Sequence, residues 1–158
     1  MPRYFRLVKA RFAERAFDGE GAKLAGGRWN SKGVSVAYAA DSIALAALEL
    51  LVHLHSHEIL NHYRLCSIEL TAANVLMLDA RDIPQDWRAD PPPSSTALLG
   101  NDWVKAKASL ALMVPSVVIP KQHILLINPA HRDFKIARKT IRNESFVFDP
   151  RLVKTKPT

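Results

Sequence analysis

The sequence predicts an α+β fold, a single compact domain with a mostly antiparallel sheet core. Three observations carry this. The chain has 158 residues, 48% of them hydrophobic, enough for one ordinary core. Short alternating or continuous apolar runs outnumber the two stretches that read clearly as helix. The two kinds of element do not alternate regularly, which argues against a doubly wound parallel sheet.

The first strand is expected at 4–8, YFRLV, with Tyr4, Arg6 and Val8 on one face. Arg6 there is either an edge charge or an inward-pointing ligand for an anion. Residues 17–27 hold Gly19, Gly21, Gly26 and Gly27, four of the six glycines, and are expected to be loop. They do not fit G-x-G-x-x-G, and no strand leads into a helix there, so a Rossmann fingerprint is absent. Residues 33–40 predict a strand, with Val34, Val36 and Tyr38 on one face and Ser35 and Ala37 on the other. Asp41 and Ser42 suit the N-cap of a helix over 42–56, rich in Ala and Leu. Ser42, Glu49, His53 and Ser56 fall on one face of it as a narrow polar stripe. An isolated carboxylate is costly to bury. Glu49 therefore either meets water or serves a site.

Further strands are expected at 63–70 and 75–78. Residues 79–95, DARDIPQDWRADPPPSS, form a long connection in which three consecutive prolines exclude helix and central strand. Loops of that length in a compact domain are often functional or mobile. A helix is predicted over 96–108, and apolar runs at 110–114 and 116–120 flank Pro115. Residues 123–128, HILLIN, read as a strand, and short strands at 134–136 and 146–148 close the fold. The domain is expected to span 1–153, with 154–158 a frayed polar tail.

A formal net charge of +7 favours an anionic partner: nucleic acid, a phosphorylated ligand or an acidic protein. The densest basic run, His131 to Arg142, carries no zinc-finger spacing, RRM signature or P-loop, so a solvated surface is expected rather than direct nucleic-acid binding. The one cysteine, Cys66, excludes an internal disulfide and fits a reducing compartment, hence a cytoplasmic protein. It sits in an apolar segment and reads as a core thiol. No run of about 18 apolar residues predicts a membrane span, and the N-terminus lacks the apolar stretch of a secretory signal.

Taken singly, the polar residues have ordinary readings. Tyr38 packs at a strand end, Ser116 satisfies a turn after Pro115, and Arg28 rests on Trp29. Together, GGRWNSKGVSVAYAADSIALAALELLVH resembles the signature of the RES domain family, named for its Arg, Glu and Ser. YFRLVKARFAERAFDGEGA at the front, and LALMVPSVVIP and LLINPAH further on, extend the resemblance over residues 3–150. The family consists of toxins of bacterial toxin–antitoxin pairs. The resemblance implies a fold like that of ADP-ribosyltransferases and an enzyme that consumes NAD. Arg28, Glu49 and Ser116 match the family's three residues and are the expected catalytic set. Arg6, Arg28, Tyr38 and Ser116 are the expected NAD contacts.

The residue chemistry agrees with that implication. Arg6 and Arg28 suit a diphosphate, and Tyr38 suits a nicotinamide or adenine ring. Glu49 suits the positive charge that builds on ribose as nicotinamide leaves, with Arg28 nearby to offset its burial. Ser116 would hydrogen-bond substrate. NAD is then substrate, no resident cofactor is implied and no metal is required. The acceptor stays open. Water or phosphate gives NAD depletion, and a protein side chain gives ADP-ribosylation. The expected partner is a co-encoded helix-turn-helix antitoxin of Xre type, with a homodimer or a higher complex around it. A basic nucleic-acid-binding module is the competing class, and it predicts salt-steep affinity and no NAD turnover.

Overall fold

The computed structural model describes residues 1–154, so the expected tail lies outside the described residues beyond Lys154. Seven strands form one sheet: β1 (Arg3–Lys9), β2 (Ala37–Ala40), β3 (Tyr63–Glu69), β4 (Val75–Met77), β5 (Ala111–Pro115), β6 (His123–Ile127) and β7 (Arg142–Phe146). Their spatial order is β4-β5-β6-β2-β1-β3-β7. Every pair is antiparallel except β4 with β5. The predicted α+β architecture with a mostly antiparallel sheet is the observed one.

Both faces of the sheet are covered, and β6 shows why its sequence is a continuous apolar run. Leu125 and Ile127 enter one core cluster, with Tyr4, Val8, Cys66 and Ile68, while Leu126 between them enters the opposite cluster, with Trp29, Val36 and Leu112. A strand buried on both sides has no polar face to alternate with. A third cluster, around Leu7, Tyr63, Leu65 and Phe148, packs beneath α2 (Ile43–Leu51). Cys66 is buried, as its apolar surroundings predict.

Several elements differ from expectation. The glycine-rich stretch is not all loop but holds α1 (Glu20–Ala25), with Gly19 and Gly26 at its two ends in positive φ. Those glycines are caps rather than breakers. The second strand starts at Ala37, not at 33, because Val34 N–H and Val34 C=O are taken by Ser31 O and the Asn30 side chain. Helix α2 stops at Leu51 instead of reaching 56. Immediately beyond it, His55 and Glu58 form their own capping box and start a separate 3-10 turn at Ser56–Glu58.

Residues 134–136 are not a strand but part of α4 (Phe134–Ala137). Phe134, Ala137 and Ile141 all reach the core from there, which is helical spacing. The last strand is Arg142–Phe146, not 146–148. It is polar because it is a sheet edge, where charged side chains discourage further pairing. α3 (Ser94–Ala106) lies within two residues of its predicted bounds. No helix among the described residues is long and apolar enough to cross a membrane.

Candidate functional site

The segment Gly27–Asn30 is a buried turn, closed by Gly27 N–H to Asn30 O at 3.0 Å. Asn30 is its hub. Its Nδ2 donates to Ala22 O at 2.9 Å and Val34 O at 3.0 Å, and its Oδ1 accepts from the Tyr38 hydroxyl at 2.6 Å. The same hydroxyl accepts from Trp29 N–H at 3.1 Å. A Cβ at position 27 would stand 2.7 Å from both Asn30 Oδ1 and the Tyr38 hydroxyl, so only glycine fits. Burial pushes the Tyr38 phenol well above its ordinary pKa, partly offset by the Trp29 N–H, so it stays protonated as a donor.

Helix α3 clamps this turn from outside. Thr96 Oγ1 donates to Arg28 O at 2.6 Å. A Cβ on Gly100 would sit 1.7 Å from Trp29 O, which accounts for a glycine inside a helix despite its cost there. With Trp29 beside it fully buried, Arg28 points its side chain outward. Its Nη1 donates to Trp87 O at 2.9 Å and Ala89 O at 2.7 Å. The long Pro-rich connection is thus fastened to the turn by Arg28, and its Pro92 helps wall the cleft described next.

A cleft of about 560 Å³ opens between β1, β2, α2 and this turn. Arg6, Arg28, Tyr38 and Glu49 all line it, together with His53, Leu50 and Val118. Arg6 comes from β1 and donates from Nη1 to Tyr38 O at 3.0 Å. Its Nε is buried with no partner among the described residues. Burial pulls its pKa below the ordinary guanidinium value, against the opposing pull of Cys66, Asp18 and Tyr38. Among the described residues neither Arg6 nor Arg28 is paired with a carboxylate within 4.0 Å. Arg6 is thus not an edge charge: β1 lies between β2 and β3, and the side chain lines the cleft.

Glu49 departs from expectation in its partner. It forms no ion pair with Arg28. Its Oε1 instead accepts from the Ser116 hydroxyl at 2.6 Å. Ser116 is fully buried just after β5, and its Oγ also accepts from Val118 N–H at 3.1 Å and Ile119 N–H at 3.0 Å. It does not line the cleft, although Val117 and Val118 beside it do. So the structure brings four of the five expected residues together on the cleft and puts the fifth, Ser116, behind Glu49. Of the predicted polar stripe, Glu49 and His53 face the cleft, whereas Ser42 caps α2 through Leu45 N–H at 3.1 Å.

Asn30, Thr96 and Gly100 were not predicted as parts of the site. A glycine interrupting a helical pattern was the one signal available for the last of them. The basic run 131–142 contributes nothing to the cleft lining. No group of three or more His, Cys, Asp or Glu among the described residues could hold a metal ion.

Known proteins match along nearly the whole chain. The RES domain matches residues 3–149. A protein of Yersinia enterocolitica named Toxin Res is 40% identical over 148 residues, covering 94% of this chain and 97% of that one. A protein of a Sphingobium species, named Prs ADP-ribosylating toxin, is 40% identical over 141 residues, covering 86% of each. Among solved structures, the M. tuberculosis MbcT–MbcA toxin–antitoxin complex has a chain that superposes with a TM-score of 0.73 at 20% identity, covering 96% of this chain and 86% of that one. That likeness establishes the fold.

Proposed function

This chain belongs to the RES domain family, and from that premise we propose that it is the toxin of a toxin–antitoxin pair and cleaves the nicotinamide–ribose bond of NAD. The observation that carries the reading is the convergence of Arg6, Arg28, Tyr38 and Glu49 on one cleft of about 560 Å³. That volume lies within the roughly 300–1,000 Å³ of small-ligand sites.

Each residue has a physical task. Arg6 is a half-buried cation with a free donor and no carboxylate, so a diphosphate supplies the charge it lacks. Arg28 has Nη1 committed to the Pro-rich connection, which leaves its other N–H groups for the same anion. The Tyr38 ring, fixed by its hydroxyl, offers a flat apolar surface to a base. Glu49 keeps one oxygen free while Ser116 holds the other. That free oxygen stabilises the sugar as the C1′–N bond breaks and nicotinamide leaves with the bonding pair. Ser116 is then a positioning residue, not a substrate contact.

The second reading keeps the same cleft and changes the acceptor to a protein side chain. It is favoured by the relative named Prs ADP-ribosylating toxin. The solved structural neighbour sits in a complex with an antitoxin. By the same likeness an antitoxin restrains this protein, and the net charge of +7 would speed its capture by an acidic partner.

The test is to incubate the purified protein with NAD, with and without phosphate and with cell extract. Released nicotinamide supports the reading. Free ADP-ribose, its phosphate ester or protein adducts, distinguished by mass spectrometry, then identify the acceptor. Nicotinamide absent from all three mixtures would refute NAD cleavage.

A further inference from the structure

We propose that His53 is the general base that takes the proton from an attacking water at the cleft, an inference that rests on NAD cleavage as read above. His53 lies in the turn just past the end of α2, four residues beyond Glu49, and both line the cleft. Their situations differ in a way that divides the labour. Glu49 is held on Oε1 by a buried hydroxyl, so its carboxylate is fixed in place. The His53 side chain is exposed and makes no hydrogen bond or ion pair among the described residues. Its ring is free to turn toward whatever enters beside Val52 and Val118, which also line the cleft.

Chemistry assigns the separate tasks. A carboxylate that steadies the cationic sugar loses that function as it takes up a proton. Histidine is the side chain suited to accept a proton near neutrality and pass it to solvent. The titratable groups that share the cleft with it are Glu49 on α2, Arg6 on β1, Arg28 in the 27–30 turn and Tyr38 on β2. Arg6 and Arg28 are cations at neutral pH and cannot accept a proton. Tyr38 is held protonated, with its hydroxyl turned to Asn30. His53 is thus the group free to act as a base.

The step balances. A water oxygen forms a bond to C1′, and the C1′–N bond breaks with its electron pair leaving on neutral nicotinamide. One water proton passes to an unprotonated ring nitrogen of His53 and then to bulk water. A phosphate dianion needs no such proton removed. His53 therefore serves hydrolysis and not phosphorolysis.

The experiment measures nicotinamide release by the full-length protein, with His53→Gln and His53→Ala beside wild type. Exposure of His53 means that both variants should keep the wild-type melting temperature. Hydrolysis should fall by about 10²-fold with NAD affinity unchanged. Its rise with pH through the histidine range should flatten, and added imidazole should restore the His53→Ala rate. Any phosphate-dependent rate should be spared. An unchanged hydrolytic rate or pH profile overturns the inference, as does an equal loss of both rates or failure of rescue. A wild type that releases nicotinamide only with phosphate overturns it while leaving NAD cleavage intact. A wild type that releases none overturns both.

Discussion

Removing the Ser116 hydroxyl is the sharpest test of how the cleft is built. Ser116→Ala deletes one atom that is fully buried and outside the cleft lining, so a direct effect on substrate contact is excluded by position. Two consequences follow from its three hydrogen bonds. Glu49 loses the donor that fixes its carboxylate, and a hydrogen bond to a charged group is worth about 1.5–3 kcal/mol. If that whole amount is spent on orientation in the transition state, kcat falls roughly 10- to 150-fold. Binding of NAD should change little, because Arg6 and Arg28, the proposed diphosphate contacts, do not touch Ser116. Separately, Val118 and Ile119 N–H groups lose their acceptor, which costs about 1–3 kcal/mol, or a fall in Tm of roughly 2–12 °C for a chain of this size. The assay is initial-rate nicotinamide release with a melting curve and an NAD titration on the same sample. A double-mutant cycle with Glu49→Gln should be strongly non-additive, since the pair acts as a unit. A folded Ser116→Ala protein with lowered Tm and wild-type kcat would refute the positioning role and leave Ser116 a turn residue.

The remaining substitutions separate charge, geometry and binding. Glu49→Gln keeps an acceptor for Ser116 but removes the charge, so kcat should drop by about 10²-fold or more while calorimetry shows NAD still bound. Wild-type turnover would remove Glu49 from the chemistry. Arg28→Lys keeps the charge, but an ammonium cannot reproduce a fork that reaches Trp87 O and Ala89 O and still offers N–H groups to the cleft. NAD affinity should fall, and amide exchange should rise in the Pro-rich connection. Unchanged exchange there would mean that Arg28 does not hold it.

What the sequence made legible was periodic. β1, β3, β6 and α3 announced themselves because burial on one or two faces leaves a pattern along the chain. α2 was legible in its middle and not at its end, because a rival capping box at His55 and Glu58 is a contest between two local structures, not a change of pattern. α1 and α4 were lost for related reasons. Gly19 and Gly26 cap as readily as they break, and three alternating residues at 134–136 fit either period. For the site, the resemblance named residues of which four line one cleft, but not their geometry. That Ser116 lies behind Glu49, and that Arg28 spends Nη1 on the chain itself, depend on contacts between residues 67 and about 60 positions apart. No local pattern encodes those.

Arg6 offers a test of whether binding has shaped this cleft against stability. A guanidinium with a buried Nε lacking any acceptor, on a strand face shared with Tyr4 and Val8, is a poor choice for folding alone. Its one bond, to Tyr38 O at 3.0 Å, returns about 1.5–3 kcal/mol as a charged donor. The unmet N–H costs about 1–3 kcal/mol. These nearly cancel, so Arg6→Met, of similar length and without charge, should shift stability by no more than about 1–2 kcal/mol, a few degrees in Tm. NAD binding should respond quite differently. The charge-assisted contact that the empty donor is poised to make is worth about 1.5–3 kcal/mol, so affinity should weaken roughly 10- to 150-fold. Melting curves and calorimetric titration of the same variant read the two effects independently. A variant that unfolds would show that Arg6 is structural, and one that binds NAD as tightly as wild type would show that its unmet donor is not aimed at the ligand.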